Sequence, residues 1–458
     1  MRSNKVVNSR LLASPRSYSA RVRNVLDALS RCIASTAVGG LSMRPERIVL
    51  LVVSTLVAAL SFAQIQKPKI NETYYYPPAF QTPQIAPEIP FDMPDPNYFV
   101  LPGEMQFGEI SAVTSNSKGH VFILSRSNAK GDVHGGSATQ VFEFDEKGKY
   151  VKEWGHDLYG FGYGHGIRVD KDDNLWVVDK GTDMVIKFNK TSGKVMMVLG
   201  RREEATAKYW LPPSIAEAGA RPRPGFVNGE EDGGFKEPTD VAWDSQGNIY
   251  VSDGYVHSRV AKFDKYGTWI GTWGHKNTTK NGELPLPGEF STVHNVQVDK
   301  YDHVWVADRS NGRAQVFDTE GNFLREVIIN VPVGHPGGYQ PLMGHQMPPE
   351  ADNKQGGELR PGTPDALCIP PDNPNVIFFG DVYPGRVYKV NITDGKVLGW
   401  FGHVGRRAGE MGAVHGLACP SENLIYTAEF VAERTQRWVL HPDKAQMASK
   451  ENPKTEGH

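Results

Sequence analysis

Cysteine is scarce in this sequence. Cys32, Cys368 and Cys419 are its only three among 458 residues, which excludes a small domain pinned by a dense disulfide framework. A Cys368–Cys419 bridge and two buried thiols are both open to such a chain. An excess of charge is also missing: 50 Lys and Arg face 52 Asp and Glu, a formal net charge of −2. Without a basic stripe there is no electrostatic footprint for nucleic acid, which is not an expected partner. The apolar stretch 48–63 falls short of a comfortable membrane span. It follows Arg44 and Arg47 and ends at Ser61-Phe62-Ala63 before Gln64, the layout of a secretory signal. An uncleaved anchor with a basic cytoplasmic tail carries the same positive flank. Either reading exports the rest of the chain, to the periplasm or outside. Residues 1–63 are therefore a basic extension plus signal or anchor, and a signal of ordinary length would start at Met43.

Glycine and proline, in contrast, are plentiful, at 48 and 32 residues, as expected of a loop-rich all-β protein. Residues 64–107 contain Pro68, Pro77, Pro78, Pro83, Pro87, Pro90, Pro94, Pro96 and Pro102 and read as an extended linker or a strap. A repeated phrase follows. Pro238-Thr-Asp-Val-Ala-Trp-Asp with Asn248-Ile-Tyr-Val-Ser-Asp253 returns as His294-Asn-Val-Gln-Val-Asp with His303-Val-Trp-Val-Ala-Asp308. Each is an alternating run, a turn and a second run ending on an acid, which predicts a strand hairpin. A third strand, a Gly turn at Gly267 or Gly321 and a fourth strand complete the unit. Six copies span 108–155, 162–200, 235–274, 288–327, 363–402 and 409–442. Four-stranded units of about 40 residues are propeller blades, so the sequence predicts an all-β, six-bladed β-propeller over 108–442. Two Pro- and Gly-rich insertions, 201–234 and 328–362, leave blade ends, the second carrying His335 and His345, and 443–458 form a polar tail.

Alignment on the first strand places Ser111, His165, Thr239, His294, Asp365 and His415 at one position. First strands line a propeller's channel, so histidines in alternate blades lie on one ring about the axis. Three converging imidazoles with one position open suit a catalytic zinc site, whereas each alone would be a channel-lining polar residue. The acids that follow on the second strands, Asp179, Asp308 and Glu429, are expected to brace turns. One residue past the second strand, near a channel mouth, the same alignment places Arg126 and Arg309, with Tyr255 adjacent to that position in the third unit. Guanidiniums there could clamp a carboxylate and lower a phenol's pKa, or pair with local acids.

The phrases Ser252-Asp-Gly-Tyr-Val-His-Ser-Arg-Val260, Pro285-Leu-Pro-Gly-Glu-Phe290, Val306-Ala-Asp-Arg-Ser-Asn-Gly-Arg313 and Gly164-His-Gly-Ile-Arg-Val-Asp170 resemble the lyase domain of the peptide-amidating enzymes. That family, the peptidylglycine alpha-hydroxylating/amidating lyases (peptidyl-alpha-hydroxyglycine alpha-amidating lyases), has an NHL-type six-bladed propeller. It splits a peptidyl-alpha-hydroxyglycine into a peptide amide and glyoxylate with zinc on three histidines. The resemblance implies His165, His294 and His415 as zinc ligands, Tyr255 as catalytic base, Arg309 as its electrostatic partner and Arg126 as a contact to the substrate carboxylate. The family's Met-Pro-His-Asp phrase is Ala413-Val-His-Gly416 here, so a structural calcium loses one ligand and a methionine beside the metal is gone. Val256 and Val304 stand where the family has disulfide cysteines. The stretch between the signal and the first blade is too short for the copper monooxygenase that makes the substrate, which implies a separate monooxygenase. Set against this lyase reading is a non-catalytic NHL propeller that binds a protein partner outside the cytoplasm. A lactonase-type hydrolase would want carboxylates and amides around calcium, where this ring has imidazoles.

Overall fold

A computed structural model describes residues 83–126, 138–202, 233–279, 285–332, 362–382 and 385–444. The extension and apolar segment within 1–63, most of both insertions including His335 and His345, and the end of the tail lie outside the described residues. Among the described residues no helix is long and apolar enough to cross a membrane.

The chain forms a six-bladed β-propeller of antiparallel four-stranded sheets. Blade 1 comprises Glu109–Ser115, Val121–Arg126, Thr139–Phe144 and Tyr150–Trp154. Blade 2 comprises Gly164–Val169, Leu175–Asp179, Met184–Phe188 and Val195–Gly200. Blade 3 runs through Asp240–Trp243, Ile249–Asp253, Arg259–Phe263 and Trp269–Trp273, and blade 4 through Val293–Val298, Val304–Asp308, Arg313–Phe317 and Phe323–Val327. Blade 5 is built from Pro364–Cys368, Val376–Asp381, Val387–Asn391 and Val397–Phe401.

Blade 6 closes the ring. Its inner strands are Val414–Ser421, Leu424–Glu429 and Arg434–Leu440, and its outermost strand is Phe91–Asp92, drawn from the Pro-rich segment before blade 1. Phe91 pairs with Leu440 and Asp92 with Val439. The same segment is held to the outer strand of blade 5, where Ile89 N–H donates to Trp400 O at 2.7 Å and Trp400 N–H to Pro87 O at 3.0 Å. It then reaches blade 1, where the Phe99 ring meets Phe144 edge-on at 5.1 Å.

Packing explains the strand chemistry. The second strands are apolar on both faces because successive side chains enter opposite seams between blades. Phe122 and Leu124 face blade 2, while Val121 and Ile123 face blade 6. Six buried clusters result, one at each seam. At the seam of blades 5 and 6, Cys368 and Cys419 are joined in a disulfide.

Candidate metal centre and active site

The first strand of five blades carries a bulge at its ring residue. Pairing with the second strand skips Ser111, His165, His294, Asp365 and His415, each lying between two paired residues. A bulge leaves one residue out of the ladder and re-aims its side chain. Three imidazoles thereby converge: the ring centroids of His165, His294 and His415 lie 4.6, 4.6 and 4.7 Å apart, and all three are buried. One nitrogen from each can be chosen so that all lie within 4.8 Å of one another.

The other three ring residues orient these imidazoles. Nδ1 of His165 lies 2.8 Å from Thr239 O, Nδ1 of His294 2.7 Å from Asp365 O, and Nδ1 of His415 2.6 Å from Ser111 O. A carbonyl only accepts, so each Nδ1 carries a proton and Nε2 is the nitrogen left for a ligand. This outer support is typical of metal-binding histidines. His294 Nε2 is buried without a hydrogen-bond partner, a position that a metal ion would satisfy. Burial, then the charges of the neighbouring imidazoles, push the pKa values of His165 and His415 well below the ordinary histidine value, which favours the neutral form of both. The residues fit a divalent ion such as zinc.

Two glycines let the carbonyls approach. A Cβ on Gly166 would fall 2.4 Å from Thr239 O, and one on Gly416 would fall 2.9 Å from Ala112 Cα. In blade 4 the corresponding residue is Asn295, whose Oδ1 accepts from Leu367 N–H at 3.0 Å and from Arg168 Nη2 at 3.0 Å. Arg168 also binds Asp240 through Nε at 2.9 Å and Nη2 at 2.6 Å, and reaches Leu367 O at 3.2 Å. This guanidinium ties the first strands of blades 2, 3, 4 and 5 together in the wall of the small cavity that the three histidines also line.

Tyr255 meets the histidines, and Arg309 meets Tyr255 and Asp365. The Tyr255 hydroxyl is 3.2 Å from His165 Nε2 and 3.4 Å from Arg309 Nη1. Burial raises the Tyr255 pKa and the Arg309 charge opposes that rise. Arg309 Nη1 also lies 3.4 Å from Asp365 Oδ1, which is 2.8 Å from His294 Nδ1. Asp365 thus links the tyrosine's guanidinium to a histidine of the ring. Burial alone would raise the Asp365 pKa, but His294 and Arg309 hold it well below the carboxylate range. Arg126 stands apart from Tyr255: its Nε donates to Gly164 O at 2.8 Å and its Nη1 to Tyr163 hydroxyl at 3.0 Å and Glu109 at 3.2 Å.

The acids ending the second strands hold the loops that enter and leave the blades. Asp179 accepts from Gly162 and Tyr163 N–H, Asp308 from Ser291 N–H and Arg313, and Glu429 from Gly412 N–H and Arg434. Three site neighbours escaped the sequence reading. Asp365 was aligned in the ring but given no role. Lys180, whose Nζ sits 3.7 Å from the centre of the Tyr255 ring, and Phe430, whose ring lies 5.3 Å from that of His415, both occupy the register that yields Arg126 and Arg309. The register itself carries the signal, with Lys180 and Phe430 standing in blades 2 and 6 where Arg126 and Arg309 stand in blades 1 and 4.

The NHL repeat family matches residues 235–263, within blade 3. The chain is 28% identical over 245 residues to the probable peptidyl-alpha-hydroxyglycine alpha-amidating lyase of Caenorhabditis elegans, over 50% of this chain and 61% of that one. It is 26% identical over 370 residues to peptidyl-glycine alpha-amidating monooxygenase B of Xenopus laevis, over 75% of this chain and 35% of that one. Against the peptidylglycine alpha-amidating monooxygenase of Rattus norvegicus it is 29% identical over 253 residues, over 51% of this chain and 22% of that one. The chain therefore spans about a fifth to three fifths of these relatives. It is similar to the amidating lyases and carries an NHL-type propeller.

Proposed function

We propose that this chain is a zinc-dependent carbon–nitrogen lyase that splits a peptidyl-alpha-hydroxyglycine, or a related N-acyl carbinolamide, into an amide and glyoxylate. One observation carries the reading: three buried imidazoles converge while the Tyr255 hydroxyl lies 3.2 Å from one of them and 3.4 Å from Arg309. A binding scaffold has no need of that constellation. Zinc on His165, His294 and His415 would supply Lewis acidity toward a substrate oxygen. Tyr255, as the phenolate that the adjacent Arg309 guanidinium favours, takes the proton of the substrate hydroxyl. The freed oxygen pair forms the glyoxylate C=O, the C–N bond breaks with its electrons going to nitrogen, and a proton on that nitrogen completes the amide. Arg126 has Nη2 free of protein partners among the described residues and is the substrate-carboxylate contact. Further parts of the reading are that a separate monooxygenase supplies the hydroxylated substrate and that the protein is exported. The Cys368–Cys419 disulfide supports export, since such bonds belong to oxidising compartments.

The test is glyoxylate release from alpha-hydroxyhippurate by the purified full chain. Release that stops on chelation and returns with zinc is the expected result. A folded, zinc-loaded protein that releases no glyoxylate would overturn the lyase and favour the binding module.

A further inference from the structure

The lyase reading gives the substrate carboxylate one partner, Arg126, and leaves a buried ammonium beside it without a role. Lys180 opens the turn after the second strand of blade 2, its N–H donated to Tyr163 O at 3.1 Å. Its side chain is only 11% exposed, and its one ion pair among the described residues is a loose one, to Glu237 at 3.5 Å. Nζ lies 3.7 Å from the centre of the Tyr255 ring and 5.5 Å from that of Tyr163. The Tyr163 ring also carries the Arg126 guanidinium at 3.9 Å. Lys180 therefore sits between the catalytic tyrosine and the carboxylate contact.

Three cations share this mouth, Arg126, Lys180 and Arg309, all at one register of blades 1, 2 and 4. Their acids are Glu109, Glu237 and Asp365, of which Asp365 is shared with His294 and the first two are partly exposed. Gathering like charges in a half-buried place is unfavourable through desolvation and mutual repulsion. Burial, together with Arg126 and Arg309, accordingly presses the Lys180 pKa down. A brace on the tyrosine ring would need one cation, whereas a cluster at a single register is completed by an anion. In blade 6 the same register offers an apolar ring instead, Phe430 against His415.

We propose that Lys180 is a specificity-determining residue that, together with Arg126, grips the carboxylate of an N-acyl-alpha-hydroxyglycine, with the Phe430 side of the mouth receiving an apolar acyl group. This deepens the lyase reading and rests on it. The probe is hippurate, which has the carboxylate and acyl group but no hydroxyl to react, beside the neutral hippuramide. Calorimetric titration of the full chain with zinc should show hippurate binding that weakens by about 10- to 100-fold in Lys180→Met, with hippuramide unchanged. For alpha-hydroxyhippurate, KM should rise by a similar factor while kcat and zinc content hold, and Lys180→Arg should restore KM. Lys180→Gln, which keeps a donor toward Glu237, carries the same comparison if the methionine variant folds poorly. Hippurate binding as tight in the variants as in the parent would overturn the proposal. So would a fall in kcat at constant KM, which would make Lys180 an attendant of Tyr255. Lys180-dependent hippurate binding by a protein that releases no glyoxylate would overturn the lyase and leave the anion site standing.

Discussion

A histidine whose Nδ1–H is committed to a carbonyl has only Nε2 to offer a metal, and in this ring all three are committed in that way. If the three imidazoles hold zinc as proposed, removing one leaves two ligands and an enlarged cavity, so His294→Ala is expected to lose zinc, read by metal analysis after dialysis. Tyr255 is proposed as the base and not as a ligand, so Tyr255→Phe should retain zinc while kcat falls by about 10²- to 10⁴-fold, the usual worth of a positioned acid or base. Full metal and full turnover in both variants would remove the assignment. The neighbouring glycine offers a subtler test. A methyl group at Gly166 would fall 2.4 Å from the Thr239 carbonyl, which must retreat and loosen its hold on His165. Gly166→Ala should therefore weaken zinc binding by about 10- to 100-fold, the usual effect of losing such outer support, with the three ligands intact. Competition with a chromophoric chelator would measure it.

The repeated phrase made the strands legible because each blade buries two faces and so repeats the same apolar alternation. The bulges that aim the ring residues were not legible, since a single residue pushed out of a ladder depends on how closely the next blade approaches and leaves no mark on that alternation. The loop into blade 4 is similarly fixed by tertiary contacts. Glu289 accepts from the hydroxyls of Thr278 and Thr279 and from Leu286 N–H. Burial pushes its pKa up, but these hydrogen bonds more than offset it and leave it at about 2, against 4.5 for an ordinary glutamate. A carboxylate with a depressed folded pKa stabilises the fold above its unfolded value and loses that contribution as pH falls toward the folded one. The melting temperature should accordingly drop as pH is lowered from 4.5 toward 2, and part of that drop should vanish in Glu289→Gln. Identical acid limbs for the two proteins would refute it. Where the sequence left Cys368 and Cys419 open between bridge and thiols, the structure joins them across 51 residues. Closing a loop of that size constrains the unfolded chain by about 4 kcal/mol. Replacing both cysteines by alanine should lower stability by up to that amount in urea titrations.

The three proposed ligands come from blades 2, 4 and 6, so the proposed metal centre would be a property of the closed ring, and closure is the part of the molecule that the repeats conceal. The sixth copy supplies only three strands, and its fourth is the two-residue Phe91–Asp92, inside a proline-rich segment with no strand period to read. Its hold comes from packing: the Phe91 ring meets Trp438 edge-on at 4.9 Å, Ile89 is buried in the seam of blades 5 and 6, and His441 N–H donates to Pro90 O at 2.7 Å. His415 rides on this blade, so loosening its outer edge should reach the centre of the ring. Replacing Ile89 and Phe91 together by alanine removes two anchors: the buried Ile89, worth about 2–5 kcal/mol when a large core side chain is cut back, and the partly buried Phe91, worth less. Zinc release, followed by a chromophoric chelator during heating, should then coincide with the loss of near-ultraviolet circular dichroism, both moving to lower temperature in the double variant. Release that kept its parental temperature while the fold melted earlier would mean that blade 6 can open without letting go of the metal, and the closed ring would no longer account for the site.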